Sequence, residues 1–118
     1  MAALTLQTID INGIVPAYAA VNASDTVKVN TAQRNFLHVK NGGGGSINVT
    51  LVAVKTTAKV PGVGVVTIGD EVIAVTSGSE KIIGPFPEAF MDTDGTVTIN
   101  YSGTTSVTAG VFSLPAAY

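Results

Sequence analysis

The chain carries one imidazole, no thiol and eight side-chain carboxylates, so any chemistry has to be sought at a few positions. His38 lies in Phe36-Leu37-His38-Val39-Lys40, an alternating run with no nucleophile or carboxylate beside it in sequence. Acid–base catalysis needs a base within hydrogen-bond reach of the proton it moves and a third group to orient that base. A lone strand histidine reads as a surface or interface residue, and no catalytic residue is expected. Asp92-Thr93-Asp94-Gly95 begins like a calcium loop, in which alternate carboxylates converge on one ion. Thr96 to Asn100 bring hydroxyls and one amide where a third acidic ligand is needed, so an Asp/Gly turn is expected there and no metal.

Two glycine-rich stretches raise the question of phosphate binding. A P-loop places its lysine after the glycines and opens a helix; here Lys40 precedes Gly42-Gly43-Gly44-Gly45, and Ser46 opens a strand-like run. Gly62-Val63-Gly64 through Gly69 misses the dinucleotide spacing, again with no helix following. No cofactor is therefore expected. Gly42 to Ser46 also matches an inserted flexible linker, but strongly patterned segments flank it at 36–40 and 47–54. Asn41-Gly42 suits a tight turn, so the sequence predicts a hairpin with Gly42, Gly43, Gly44 and Gly45 at its tip.

The elements around these positions are strands. Hydrophobic residues make up 46% of the chain but aromatics only 6%, so the core has to come from β-branched side chains. Val97, Ile99 and Tyr101 alternate with Thr96, Thr98 and Asn100, and Ile47, Val49 and Leu51 with Asn48, Thr50 and Val52. Further short strands are read at 17–21, 26–29, 65–68, 72–76, 80–84 and 106–114. Residues 56–64 read as loop, and Pro87 to Met91 as one helical turn. The expected fold is all-β: an antiparallel β-sandwich or barrel, jelly-roll or Ig-like, of about eight short strands, with residues 1–118 as one domain.

Residues 1–12 stand apart. Leu4, Leu6 and Ile9 have strand composition, and the alternation shifts face near Thr8, ahead of Asn12-Gly13 and Pro16. Two readings are open: an arm or edge strand that contacts a neighbouring subunit, or an ordinary first strand of the domain's own sandwich. Ala17-Tyr18-Ala19 mimics a signal-peptidase site, but the residues before it include no Lys or Arg and carry Gln7 and Asp10, so a cleaved signal is not expected. No apolar run has the length of a membrane helix, and a soluble chain is expected. Charged residues are only 12%, the net charge is −2, and the six Lys and Arg are scattered from Lys28 to Lys81, which argues against nucleic acid. A surface so poor in charge suits burial in an assembly.

Phe36-Leu-His-Val-Lys-Asn-Gly-Gly-Gly, Ile83-Gly-Pro-Phe-Pro, Asp94-Gly-Thr-Val-Thr-Ile-Asn-Tyr-Ser and Thr105-Ser-Val-Thr-Ala-Gly-Val-Phe occur in that order. Over roughly residues 4–114 the chain resembles a family of small tailed-bacteriophage virion proteins, the head decoration or cement proteins. The resemblance implies a non-enzymatic protein, made in the host cytoplasm and resident on the outer head surface of the virion, with the major capsid protein as partner. Self-association is expected, with a trimer favoured because capsid lattices offer three-fold positions. Leu4, Leu6, Ile9, Asn41 and Gly42 to Gly45 are the candidate capsid or oligomer contacts. The alternatives are another virion β-module, a tail or fibre component, and a carbohydrate-binding module that would stack sugars on Tyr18, Phe90, Tyr101 or Tyr118.

Overall fold

A computed structural model of the protein describes residues 2–30 and 34–115. Its strands are β1 (Ala2–Leu4), β2 (Leu6–Thr8), β3 (Ala19–Ala20), β4 (Ser24–Lys28), β5 (Arg34–Asn41), β6 (Ile47–Leu51), β7 (Thr57–Val60), β8 (Gly64–Thr67), β9 (Glu71–Val75), β10 (Glu80–Ile83), β11 (Thr96–Tyr101) and β12 (Val107–Leu114). One 3-10 turn, Glu88–Phe90, falls within the predicted helical turn.

Two sheets face each other. Sheet I has the order β1-β4-β11-β6-β9, and sheet II has β10-β5-β12-β2, with β3 also on β12. Without β1, β2 and the β7–β8 pair, the orders are β4-β11-β6-β9 and β3-β12-β5-β10. The chain changes sheet at every step except between β6 and β9, which is jelly-roll connectivity. The fold is a sandwich and not a closed barrel. Among the described residues β9 pairs only with β6 and β10 only with β5, so both sheets keep an open edge on one side.

The period of two builds the core. β11 buries Val97, Ile99 and Tyr101; β6 buries Ile47, Val49 and Leu51; β5 turns Leu37 and Val39 inward. On the opposite faces, sheet I shows Thr and Asn, whereas β5 shows Arg34, Phe36, His38 and Lys40. β12 is buried on both sides over most of its length because residues 9–18 cross its outer face.

Two expectations are corrected, and a third that was left open is narrowed. β5 and β6, read as hairpin partners, lie in different sheets, so Gly42 to Gly45 form a crossover at one end of the sandwich. Alternation fixes which face a strand buries, but it names no partner. Of the readings left open for residues 1–12, the structure shows residues 2–8 as edge strands of the domain's own sheets. β1 pairs with β4 and β2 with β12, both parallel, so the segment steps from an edge of sheet I to an edge of sheet II, with Leu4 and Leu6 packed against the core. Residues 57–60, read as loop, form β7 and pair with β8 from Thr57↔Thr67 to Val60↔Gly64. Pro61-Gly62 is the turn of that hairpin, where Val63 N–H donates to Val60 O at 3.0 Å and Gly62 takes φ +80°.

Candidate functional site

His38 gains in three dimensions the neighbours it lacks in sequence. The Tyr18 hydroxyl is 2.7 Å from its Nδ1, and Glu80 Oε1 is 3.3 Å from its Nε2, without hydrogen-bond alignment. Lys40 Nζ stands 3.9 Å from the centroid of the Tyr18 ring, a cation–π contact. The Tyr18 hydroxyl and His38 Nδ1 share one hydrogen bond whose donor is set by the imidazole tautomer, and the Glu80 carboxylate stands beside Nε2. β10 pairs with β5 so that Glu80 lies opposite Lys40, and Tyr18 arrives on the segment that crosses β12. Sequence separations of 20 and 42 residues hide the cluster from any local reading.

The crossing is built by small side chains and one amide. Gly110 of β12 leaves room for it: a Cβ there would lie 2.9 Å from Ala17 O. Gln7 then holds Ala17 as a strand would, its Nε2 donating to Ala17 O and its Oε1 accepting from Ala17 N–H, both at 2.8 Å. Tyr18 also meets Phe112, which stacks on Phe36. Together these side chains form a groove of about 310 Å³ on the outer face of sheet II, walled by Ile9, Ile14 and Pro16. Beside it Ile11 is fully exposed and Val15 is 92% exposed.

A second apolar feature is the β7–β8 hairpin. Its two strands pair only with each other among the described residues, and Val63 and Val65 on it are about 70% exposed. The hairpin's base is fastened to the body: Ala53 N–H donates to Asp70 Oδ1 at 2.8 Å, and Ala89 O accepts from Val54 N–H and Lys55 N–H, each at 2.9 Å.

The other candidates from sequence divide between structure and surface. Ile9 lines the groove, while Leu4 and Leu6 are half-buried against the core and leave little for a partner. Asn41 is buried and ties the crossover, with Nδ2 donating to Gly45 O and Val75 O and Oδ1 accepting from Gly43 N–H. Gly42 and Gly43 approach the Thr105–Ser106 backbone, whereas Gly44 and Gly45 have open space around them. Asp92 and Asp94 are used by their own turn: Thr93 N–H bonds Asp92 Oδ1 and Thr96 N–H bonds Asp94 Oδ1. Hydrogen bonds from the Thr96 side chain and then its backbone hold the Asp94 carboxyl below its usual range. Among the described residues no three His, Asp or Glu gather as a metal site. Of the aromatics considered for sugar stacking, Phe90 and Tyr101 are core, Tyr18 is half-buried, and Tyr118 lies outside the described residues.

No family model, curated protein or solved structure matches the chain. Among the described residues no helix is long and apolar enough to cross a membrane.

Proposed function

We propose that the protein is a non-enzymatic capsid decoration protein of a tailed bacteriophage, one that binds the outer surface of the assembled head and stabilises it through contacts with the major capsid protein. The observation that carries this reading is the β7–β8 hairpin, which presents Val63 and Val65 beyond a sandwich poor in charge. Exposed aliphatic side chains on a projecting element give up water when a partner covers them, at roughly 25 cal/mol per Å². A compact sandwich with such a projecting hairpin suits adhesion. The resemblance of residues 4–114 to decoration proteins supplies the partner.

A protein that binds the expanded shell and not its precursor stabilises it by RT ln(1 + [L]/Kd) at each site, about 4 kcal/mol when free protein exceeds Kd a thousandfold. Repetition over the lattice multiplies that contribution.

The experiment is binding of the purified full chain to parent particles that lack it. Wild-type protein should saturate the particles and raise their resistance to heat. V63D/V65D should bind at least about tenfold more weakly with an unchanged melting temperature of the free protein. Absence of wild-type binding would sink the proposal, and tail-restricted binding in electron micrographs would replace it with the tail-component reading.

A further inference from the structure

We propose that the outer face of sheet II is a contact surface between two copies of this chain, related by a two-fold axis that lies above that face and parallel to β12. This inference stands apart from the capsid reading and uses a different surface from the β7–β8 hairpin.

The two outer faces of the sandwich differ in chemistry. Sheet I presents Thr26, Thr96, Thr98, Asn48, Thr50 and Asn100, a hydroxyl and amide surface compatible with water, with Val72 as its exposed apolar residue on the β9 edge. Sheet II presents an apolar ridge beside an apolar groove. The ridge is the segment between β2 and β3, where Ile11 is fully exposed and Val15 nearly so. The adjoining groove of about 310 Å³ has Phe36 and Phe112 at its base and the Tyr18 ring at its side. Leu114, on β12 itself, is 42% exposed, and Ile82 on the β10 edge is 66% exposed. Ridge and groove lie on one face, which is the requirement for a surface that complements itself.

Charge identifies the occupant. Arg34 lies opposite Leu114 on the β5 side of β12. Asp10 follows Ile9, whose N–H donates to Ser113 O at 2.9 Å, so Asp10 sits at the same end of the sheet on the other side of β12. Among the described residues neither forms an ion pair, while at the opposite end Lys40 covers Tyr18 and Glu80 faces His38 within one copy. A half-turn about that axis brings Arg34 to the partner's Asp10 side and Asp10 to the partner's Arg34 side, so a single operation creates two opposite-charge contacts. The same half-turn lays the Ile11–Val15 ridge of each copy over the β5 side of the groove in the other. A three-fold ring would need ridge and groove on separate surfaces, so this geometry selects a pair over the trimer favoured from sequence.

Sedimentation equilibrium of the full chain between about 1 and 100 µM tests the proposal, a range that captures Kd values in the micromolar region. A dimer is expected, weakened by added salt because its rim charges are exposed. V15D and R34D should each weaken it at least about tenfold without lowering the melting temperature, since both side chains are exposed. D10R/R34D, which exchanges the charges, should recover most of the affinity lost in R34D, and V63D on the hairpin should leave the dimer unchanged. A monomer at 100 µM, a trimer, a dimer indifferent to V15D and R34D, or a loss that the charge exchange does not rescue would each overturn the pairing. Failure of the capsid reading would appear in the particle assay and leave these results untouched.

Discussion

Tyr101 carries a hydroxyl that the core does not satisfy. Its side chain is buried on β11, and the hydroxyl has no hydrogen-bond partner among the described residues. Burial, and then the nearby Asp25 carboxylate, raise its pKa above the usual value. A folded-state pKa raised above the unfolded one gives a contribution present below the unfolded value, about 10 for Tyr, and lost as pH rises beyond it. Y101F should therefore leave stability at pH 7 unchanged or raise it by up to about 1 kcal/mol, and it should make the loss above about pH 10 shallower. Denaturant unfolding at the two pH values measures both, and a loss above about 2 kcal/mol at pH 7 would mean that the hydroxyl has a partner. Gly43 and Gly44 are neighbours with different constraints. A Cβ on Gly43 would fall 2.7 Å from Thr105 O, whereas one on Gly44 meets nothing within 4 Å. G43A should cost about 1–3 kcal/mol by overpacking and G44A less than about 0.5 kcal/mol; equal costs would show that the crossover shifts freely.

At the scale of elements, the N-terminal segment and the glycine crossover do the work of closing the sandwich. β1 and β2 add a strand to each sheet on one side and bring Leu4 and Leu6 against the core. Two half-buried leucines contribute about 2 kcal/mol together. Deleting residues 2–8 should lower the melting temperature by about 8 °C or more, on the scale of about 4 °C per kcal/mol for a domain of this size. An unchanged melting temperature would mean that the segment is detachable, as the arm reading requires. The crossover has a length requirement of its own, because packed sheets lie about 10 Å apart, roughly twice the spacing of paired strands. A two-residue turn suits a hairpin and not this span, so removing Gly43 to Gly45 should destabilise the protein.

The whole molecule is a flattened body, 46 × 37 × 22 Å, with its β7–β8 hairpin packed mainly on itself. β6 and β9 are antiparallel neighbours on their own account, from Ile47↔Val75 to Leu51↔Glu71, so the hairpin is an insertion between paired strands. Its base is already closed, with Ile68 N–H donating to Thr56 O at 2.7 Å. Replacing Thr57 to Thr67 by Asn-Gly should change the melting temperature by less than about 4 °C, equivalent to about 1 kcal/mol, and abolish particle binding. Unfolding of that variant would make the hairpin structural, and retained binding would move the capsid contact elsewhere.

Alternation by itself determined the all-β class, the inward residues of β5, β6 and β11, and the bounds of β11, because a period of two is a property of successive side chains. Pro87 likewise marked the start of the helical turn Glu88–Phe90. Pairing was decided only in the tertiary structure. Residues 36–40 and 47–54 carry two of the clearest patterns in the chain, yet they belong to opposite sheets, since backbone hydrogen bonds are identical whichever strand supplies them. β7 was hidden because four residues, three of them exposed, beside a proline and glycines bury too little to impose a pattern. The Tyr18, His38 and Glu80 cluster and the ridge beside its groove depend on where residues 9–18 cross β12. That path is fixed by Gly110, Gln7 and Ala17 acting together across a hundred residues of chain, a coincidence no local pattern encodes.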